Sequence, residues 1–394
     1  MPLRLSRENI SDARLLGIIG PSVIALIAGS VVIGRAFLAR TDAWLLGDWL
    51  IDYSAGFSRR GLVGEIVRQV AGTLSVDRIV VTVAIVWLVF VALVCVVAVL
   101  FLHHRRGLTT VLLLVSPAFL FFFLNFLGTM RKELLLFLLV GVVLLVTRNP
   151  QRSAWVWLLV GVFPLLVFAH EGLAVYGGFV LIIIYLLYSD GAVSKKQAIA
   201  QSSVVTVFTA LAGWAIIFFG SSPGIDERIC SNLVEEGYSR RLCGGAIAFL
   251  DRDAGEAVER VAGFVATGNY LTTYAIVAVL AAIPFLFVRF STTLGIMLTI
   301  ASAAIIPLFV FAIDWGRWMV VAVWLVTLIT IRFDGSHHIQ VKSLAPKTFA
   351  IDLALALAII AYATLWSVPH CCEPRVGFGL IDRAVELMLY VGGR

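Results

Sequence analysis

The sequence predicts an all-helical, polytopic membrane protein. Hydrophobic residues make up 61% of the chain and charged residues only 14%, with a mean hydropathy of +1.01. Soluble domains run at about 45–50% apolar and about 25% charged. The apolar residues also arrive in long uninterrupted runs. A run of about 20 such residues crosses a bilayer as a helix, because lipid offers backbone polar groups no partner outside a helix or closed barrel.

Eleven runs read as spans, at 16–38, 79–102, 108–127, 134–147, 154–169, 172–188, 199–220, 271–288, 292–313, 317–331 and 349–367. The fourth, fifth and tenth are short, so they tilt little, draw on flanking residues or stop inside the bilayer. The N-terminal MPLRLSRENISDAR has no short apolar stretch followed by a small-residue cleavage site, so the first span is expected to stay as an anchor. No repeat, low-complexity tract or linker divides the chain, and residues 1–394 are expected to form one membrane domain.

Basic residues set the orientation. With a cytoplasmic N-terminus, the cytoplasmic loops hold thirteen basic residues, among them Arg4, Arg7, Arg105, Arg106, Lys195, Lys196 and Arg332, against five acidic ones. The exterior then receives a first loop at 39–78, a long loop at 221–270 and a C-terminal tail at 368–394. Cysteine usage agrees. Cys230, Cys243, Cys371 and Cys372 face the exterior, as expected of an oxidising compartment, and Cys95 lies in a span. The spacing allows a Cys230–Cys243 bridge, whereas adjacent Cys371 and Cys372 rarely bond each other and no metal-ligand spacing is present.

The charges that this topology does not explain all fall on the exterior face. They lie in YSAGFSRRGLVGE (53–65), GTMRKE (128–133), AHEG (169–172) and DWGRW (314–318). The positive-inside tendency places Arg59, Arg60, Arg131, Lys132 and Arg317 on the other side. The flanks of His170, Glu171 and Asp314 are so apolar that these hairpin tips sit below the headgroups. Unpaired charge costs several kcal/mol there unless it lines a protein cavity. A polar chamber open to the exterior is therefore expected.

The first of these stretches predicts an amphipathic helix over 58–74 at the membrane surface. Leu62, Val63, Ile66, Val67, Val70 and Leu74 recur at helical spacing, opposite Arg59, Arg60, Glu65 and Arg68. Its start combines Gly56, Ser58 and two guanidinium groups, which suits a phosphate as well as it suits ordinary lipid headgroups. Taken singly, Arg131 to Glu133 read as a solvated tip, His170 and Glu171 as an interhelical pair, and Asp314 with Arg317 as a neutralised helix end. Their recurrence on one face favours function.

Glycosyl transfer from a polyprenyl-phosphate or polyprenyl-pyrophosphate carrier would use such a chamber. Arg59, Arg60, Arg131 and Arg317 stabilise the departing phosphate, and a carboxylate or histidine accepts the acceptor's proton. Asp52 and the His170–Glu171 pair are the first candidates, ahead of Asp48 and Asp314. This chemistry requires no nucleotide pocket, cofactor or metal cluster. The expected partners are a lipid-linked glycan donor, a glycan acceptor and membrane lipid, with no nucleic acid.

The set GFSRRGLVG, MRKE, HEG and DWGRW resembles bacterial multi-spanning proteins of surface-polysaccharide assembly, of the Wzy or EpsG polymerase kind. One span followed by an acidic loop with a surface helix is also similar to GT-C glycosyltransferases, whose first exterior loop carries a catalytic aspartate corresponding here to Asp42, Asp48 or Asp52. The resemblance implies the bacterial inner membrane and association with other polysaccharide assembly proteins. Unlike those families, the chain has no adjacent aspartate pair after the first span, and its long exterior loop lies mid-chain. A flippase or exporter is the competing class, but no half-to-half symmetry or mid-span charge supports it. A non-catalytic scaffold is the third. Finally, DAGEAVERVAGFVATG puts Val258, Val261 and Val265 on one face, as a lid over the chamber requires.

Overall fold

The computed structural model describes residues 12–103, 108–124, 130–220, 222–266, 268–342 and 349–371, together with 376, 379, 382 and 385. Among the described residues the chain is helical almost throughout. Eight helical segments are long and apolar enough to cross a membrane, and two shorter apolar helices accompany them. It is an all-α polytopic membrane protein.

The first span is α1 (Asp12–Ala39), and one buried turn, α2 (Leu46–Trp49), follows it. Next come α3 (Gly61–Leu74) and α4 (Arg78–Leu102), the latter started by the Asp77 side chain, which accepts from the Ile79 and Val80 amides. The third expected span is broken into α5 (Leu108–Leu114) and α6 (Pro117–Leu124). Pro117 has no amide hydrogen to continue the ladder. Then follow α7 (Glu133–Val146), α8 (Val156–Ala169), α9 (Gly177–Ser189) and α10 (Lys195–Phe219), whose start carries a Ser194–Gln197 capping box. The long loop contributes α11 (Ile225–Glu235) and α12 (Ala254–Ala266). The last helices are α13 (Tyr270–Ala282), α14 (Thr292–Ala303), α15 (Ile306–Phe311), α16 (Trp315–Phe333) and α17 (Phe349–Thr364). Pro307 sits at the break between α14 and α15.

The eleven expected spans thus become eight of spanning length and two short ones, with the split third in addition. At 14 residues and about 1.5 Å per residue, α7 reaches only about 21 Å of a hydrocarbon layer about 30 Å thick. One end of it must begin inside the protein.

The centre of the bundle is α16, 72% buried along its length against 17% for the peripheral α10. Trp324, fully buried, stacks between Phe119 of α6 and Phe137 of α7 at centroid distances of 4.2 and 4.6 Å, and its Nε1 donates to the Phe119 carbonyl at 2.7 Å. This gives the indole both its apolar burial and the partner its N–H needs.

Three helices leave a common end together. Glu133, Glu171 and Arg317 stand at the starts of α7, the 3-10 turn before α9, and α16. At the far end Arg332 ties the same helices, donating to the Leu144 and Thr147 carbonyls at 3.1 and 3.0 Å and lying 3.6 Å from Asp190. That end also carries β1 (Val288–Phe290) paired antiparallel with β2 (Ile339–Val341), and His338 bonded to Ser291 and Ser189 at 2.9 and 3.0 Å.

The surface helix begins three residues later than expected, because Arg60 is left-handed (φ 68°). Its apolar stripe divides. Val63 and Val67 are buried with Gly61, Gly64 and Ala71, while Ile66 and Leu74 stay 48% and 62% exposed. Gly64 permits this packing, since a Cβ there meets the Ile51 carbonyl.

Candidate functional site

The four charged motifs converge at the common end of α7, α9 and α16, each presented by an interruption in a helix. Met130 is left-handed (φ 60°) just before Arg131, Lys132 and the start of α7. His170 is extended (φ −159°, ψ 112°) between α8 and the 3-10 turn Glu171–Tyr176, and its Nδ1 accepts from the Gly172 amide at 3.1 Å. Asp314 and Arg317 open α16, and Arg60 opens α3.

The side chains form one network. The Arg60 guanidinium forks onto Glu171 through contacts of 2.6 to 2.9 Å. Lys132 Nζ lies 3.6 Å from Asp48 and donates to the Arg60 carbonyl at 2.8 Å. Glu133 lies 3.4 Å from Arg317 Nε and 3.9 Å from His170 Nε2, and Arg317 Nη2 lies 2.8 Å from Asp314. Arg131 donates to the Trp44 carbonyl at 2.7 Å with its guanidinium over the Trp44 ring.

Four cations face four carboxylates, so the cluster is balanced while His170 is neutral. Balance is what makes burial tolerable, since an uncompensated buried charge costs several kcal/mol. In the loop between α1 and α4, burial alone would raise the Asp48 carboxyl, but the Lys132 ammonium beside it holds it below the usual range.

The network is graded in depth. Lys132, Glu133, Asp48, His170 and Arg131 are buried, whereas the side chains of Arg60, Glu171 and Asp314 keep 20%, 25% and 15% of their surface. These three are the partly exposed edge of the cluster. Inside, both carboxylate oxygens of Asp48 and of Glu133, and Nε of Arg131 and Arg317, make no hydrogen bond. Each of these atoms needs a partner that the neighbouring side chains do not supply, a water, an ion or a ligand group.

Arg60, Arg131, Arg317, His170, Glu171, Asp48 and Asp314 are therefore brought together, and two expected members are not. Arg59 turns the other way: its guanidinium donates to the Phe249, Leu250 and Arg252 carbonyls, and its amide donates to the Gly220 carbonyl. The left-handed turn at Arg60 separates the directions of the two neighbours. Asp52, 1% exposed, pairs with Arg78 at 2.5 Å and accepts from the Ser54 amide and hydroxyl, while Arg78 also holds Glu236 at 3.0 Å. It ties the first loop to the long loop.

The long loop expected to form a lid is docked on two sides. A Cys230–Cys243 disulfide closes the front of the long loop, which packs on the first loop. Trp44 meets Phe249 at 5.5 Å, Asn232 donates to Ser54 Oγ at 2.9 Å, and the Leu242 carbonyl rests where only Gly47 leaves room. In α12 Val261 is buried and Val265 packs beside it against the cluster of Tyr270, Tyr274 and Trp315, next to Asp314, while Val258 is 38% exposed. The loop thus packs on the first loop and, through α12, beside the start of α16.

Lys132 and Glu133, which taken singly read as a solvated tip, are the most enclosed charges of the cluster. The short span 134–147 was the available signal, because a helix too short to cross must start at depth. Comparisons with known proteins add no identity. No protein-family model, curated protein or solved structure matches this chain.

Proposed function

We propose that the protein is a membrane glycosyltransferase or polysaccharide polymerase that takes its sugar from a polyprenyl-phosphate or polyprenyl-pyrophosphate carrier. The observation that carries this reading is the convergence of Arg60, Arg131, Lys132 and Arg317 with Glu171, Asp314 and His170 at a single end of the bundle. The other end, around Arg332 and His338, has no matching cluster among the described residues, whereas alternating access needs polar groups reachable from both faces.

In this reaction the acceptor hydroxyl oxygen attacks the anomeric carbon. The bond from that carbon to the phosphate oxygen breaks with both electrons leaving on the phosphate, and the hydroxyl proton passes to a carboxylate. Arg60 and Arg317 supply the forked donors that the growing negative charge of the phosphate calls for in this reading. Glu171 and Asp314 are the carboxylates at the partly exposed edge, so they are the base candidates in reach of an acceptor. The cluster end faces the exterior of a bacterial inner membrane, with the N-terminus cytoplasmic, in keeping with the basic residues of the opposite loops.

The test is incubation of purified protein with a polyprenyl-phosphate-linked sugar and, separately, with a polyprenyl-pyrophosphate-linked oligosaccharide. Extended or transferred glycan is expected, with loss in Glu171→Gln or Asp314→Asn. Wild-type turnover in both variants overturns the catalytic assignment, and absence of any transfer from either carrier class overturns the reading.

A further inference from the structure

The partly exposed edge of the cluster carries a second group of side chains from far along the chain. Asp314, His370 and Cys371 each bring one ligand atom to within 4.8 Å of the others. Asp314 accepts a hydrogen bond from the Cys371 thiol. His370 is 9% exposed, and its Nε2 has no hydrogen-bond partner.

The placement is built and not incidental. Gly316 lies where a Cβ would meet the Pro369 carbonyl and the Val368 side chain, so its lack of a side chain lets the segment after α17 press against the start of α16. Trp366, Ser367 and Val368 are buried there, and Tyr274 OH donates to the His370 carbonyl at 3.3 Å. An imidazole, a thiol and a carboxylate are thereby fixed together.

We propose that Asp314, His370 and Cys371 bind a divalent transition-metal ion of the zinc class. Zinc takes sulfur at about 2.3 Å and nitrogen or oxygen at about 2.0–2.2 Å, so a tetrahedral site needs its donors about 3.3–3.8 Å apart. The present spread closes to that by side-chain rotation. The metal displaces the thiol proton, which goes to solvent; the thiolate offsets one of its two positive charges, and Asp314 serves as a ligand while it stays paired with Arg317. Mixed sulfur, nitrogen and oxygen donors select zinc-like ions over magnesium or calcium, which prefer oxygen alone. Three protein ligands leave a fourth position for an oxygen of substrate or water. If that oxygen is a donor phosphate, the role rests on the proposed function. Metal binding itself does not.

The experiment uses the full chain in detergent, stripped of metal and reduced with a phosphine, and titrates it with Co²⁺. Binding of one equivalent with a thiolate-to-cobalt absorption band, bleached by Zn²⁺, is expected. Cys371→Ser should abolish the band, His370→Gln should weaken binding at least tenfold, and Cys95→Ser should change neither. No band in the wild type, or a band that survives Cys371→Ser, overturns the proposal. Should Cys371→Ser fail to fold, the wild-type protein decides: Zn²⁺ should slow alkylation of Cys371 by N-ethylmaleimide at least tenfold, read by peptide mass spectrometry. Equal rates with and without Zn²⁺ overturn it. Neither readout needs turnover, so a failure here is separate from a failure of the glycosyl-transfer assay.

Discussion

Arg60 combines a left-handed backbone, which costs a non-glycine residue about 1–2 kcal/mol, with a forked contact to Glu171. The strain persists because the same residue offers its carbonyl to Lys132. Arg60→Lys keeps the charge and loses the fork, so turnover is expected to fall by about 10²-fold in the extension assay. Glu171→Gln removes proton acceptance and should cost about 10²–10⁴-fold if Glu171 is the base. Asp52→Asn should behave differently, because it leaves the buried Arg78 charge underpaired: a loss of about 3–5 kcal/mol in stability, seen as a lower thermal midpoint, with turnover per folded molecule retained. A folded Asp52→Asn protein without activity would return Asp52 to the catalytic group.

At the scale of elements, the interruptions matter more than the helices. The short α7, the extended residue after α8 and the left-handed residue before α3 each start or end a helix beside a charge of the cluster. The long loop is docked through Arg59 and closed by Cys230–Cys243. Arg59→Ala is expected to release it, and limited proteolysis should then cut near residues 251–253 at a faster rate than in the wild type. The surface helix has its own pH signature. Hydrogen bonds from Arg68, Gln69 and the Tyr53 amide hold the Glu65 carboxyl down to about 2. A depressed carboxyl contributes stability above its unfolded value of about 4.5, and this contribution is lost as pH falls toward about 2. Amide exchange in α3, corrected for intrinsic rate, should therefore match at pH 7 and 5.5 and rise only below about pH 4.5.

For the molecule as a whole, the arrangement of α7, α9 and α16 puts the charged cluster at one end and the Arg332 tie at the other. Membrane-impermeant maleimide should label a cysteine placed at the exposed Glu256 in intact cells, and one at the exposed Lys196 only after lysis. Labelling of both from outside would break the proposed orientation. One-sidedness is what separates an enzyme working at a membrane surface from a carrier that must open to both faces.

The sequence by itself determined the class, since runs of apolar residues with unpaired backbone groups have no other home than helices in lipid. It also determined which charges were out of place, because a charge with an apolar flank carries its cost locally. It further limited the pairing of Cys230 and Cys243 by their shared loop. It did not determine direction. Arg59 and Arg60 are neighbours with the same side chain, and only the left-handed turn between them sends one to the long loop and the other to Glu171. Asp52 looked as free as Asp48 until Arg78, 26 residues on, took it. No spacing along the chain links Asp314 to His370 and Cys371. A ligand set from distant segments exists only through tertiary packing, here the close approach that Gly316 allows between the start of α16 and the residues after α17.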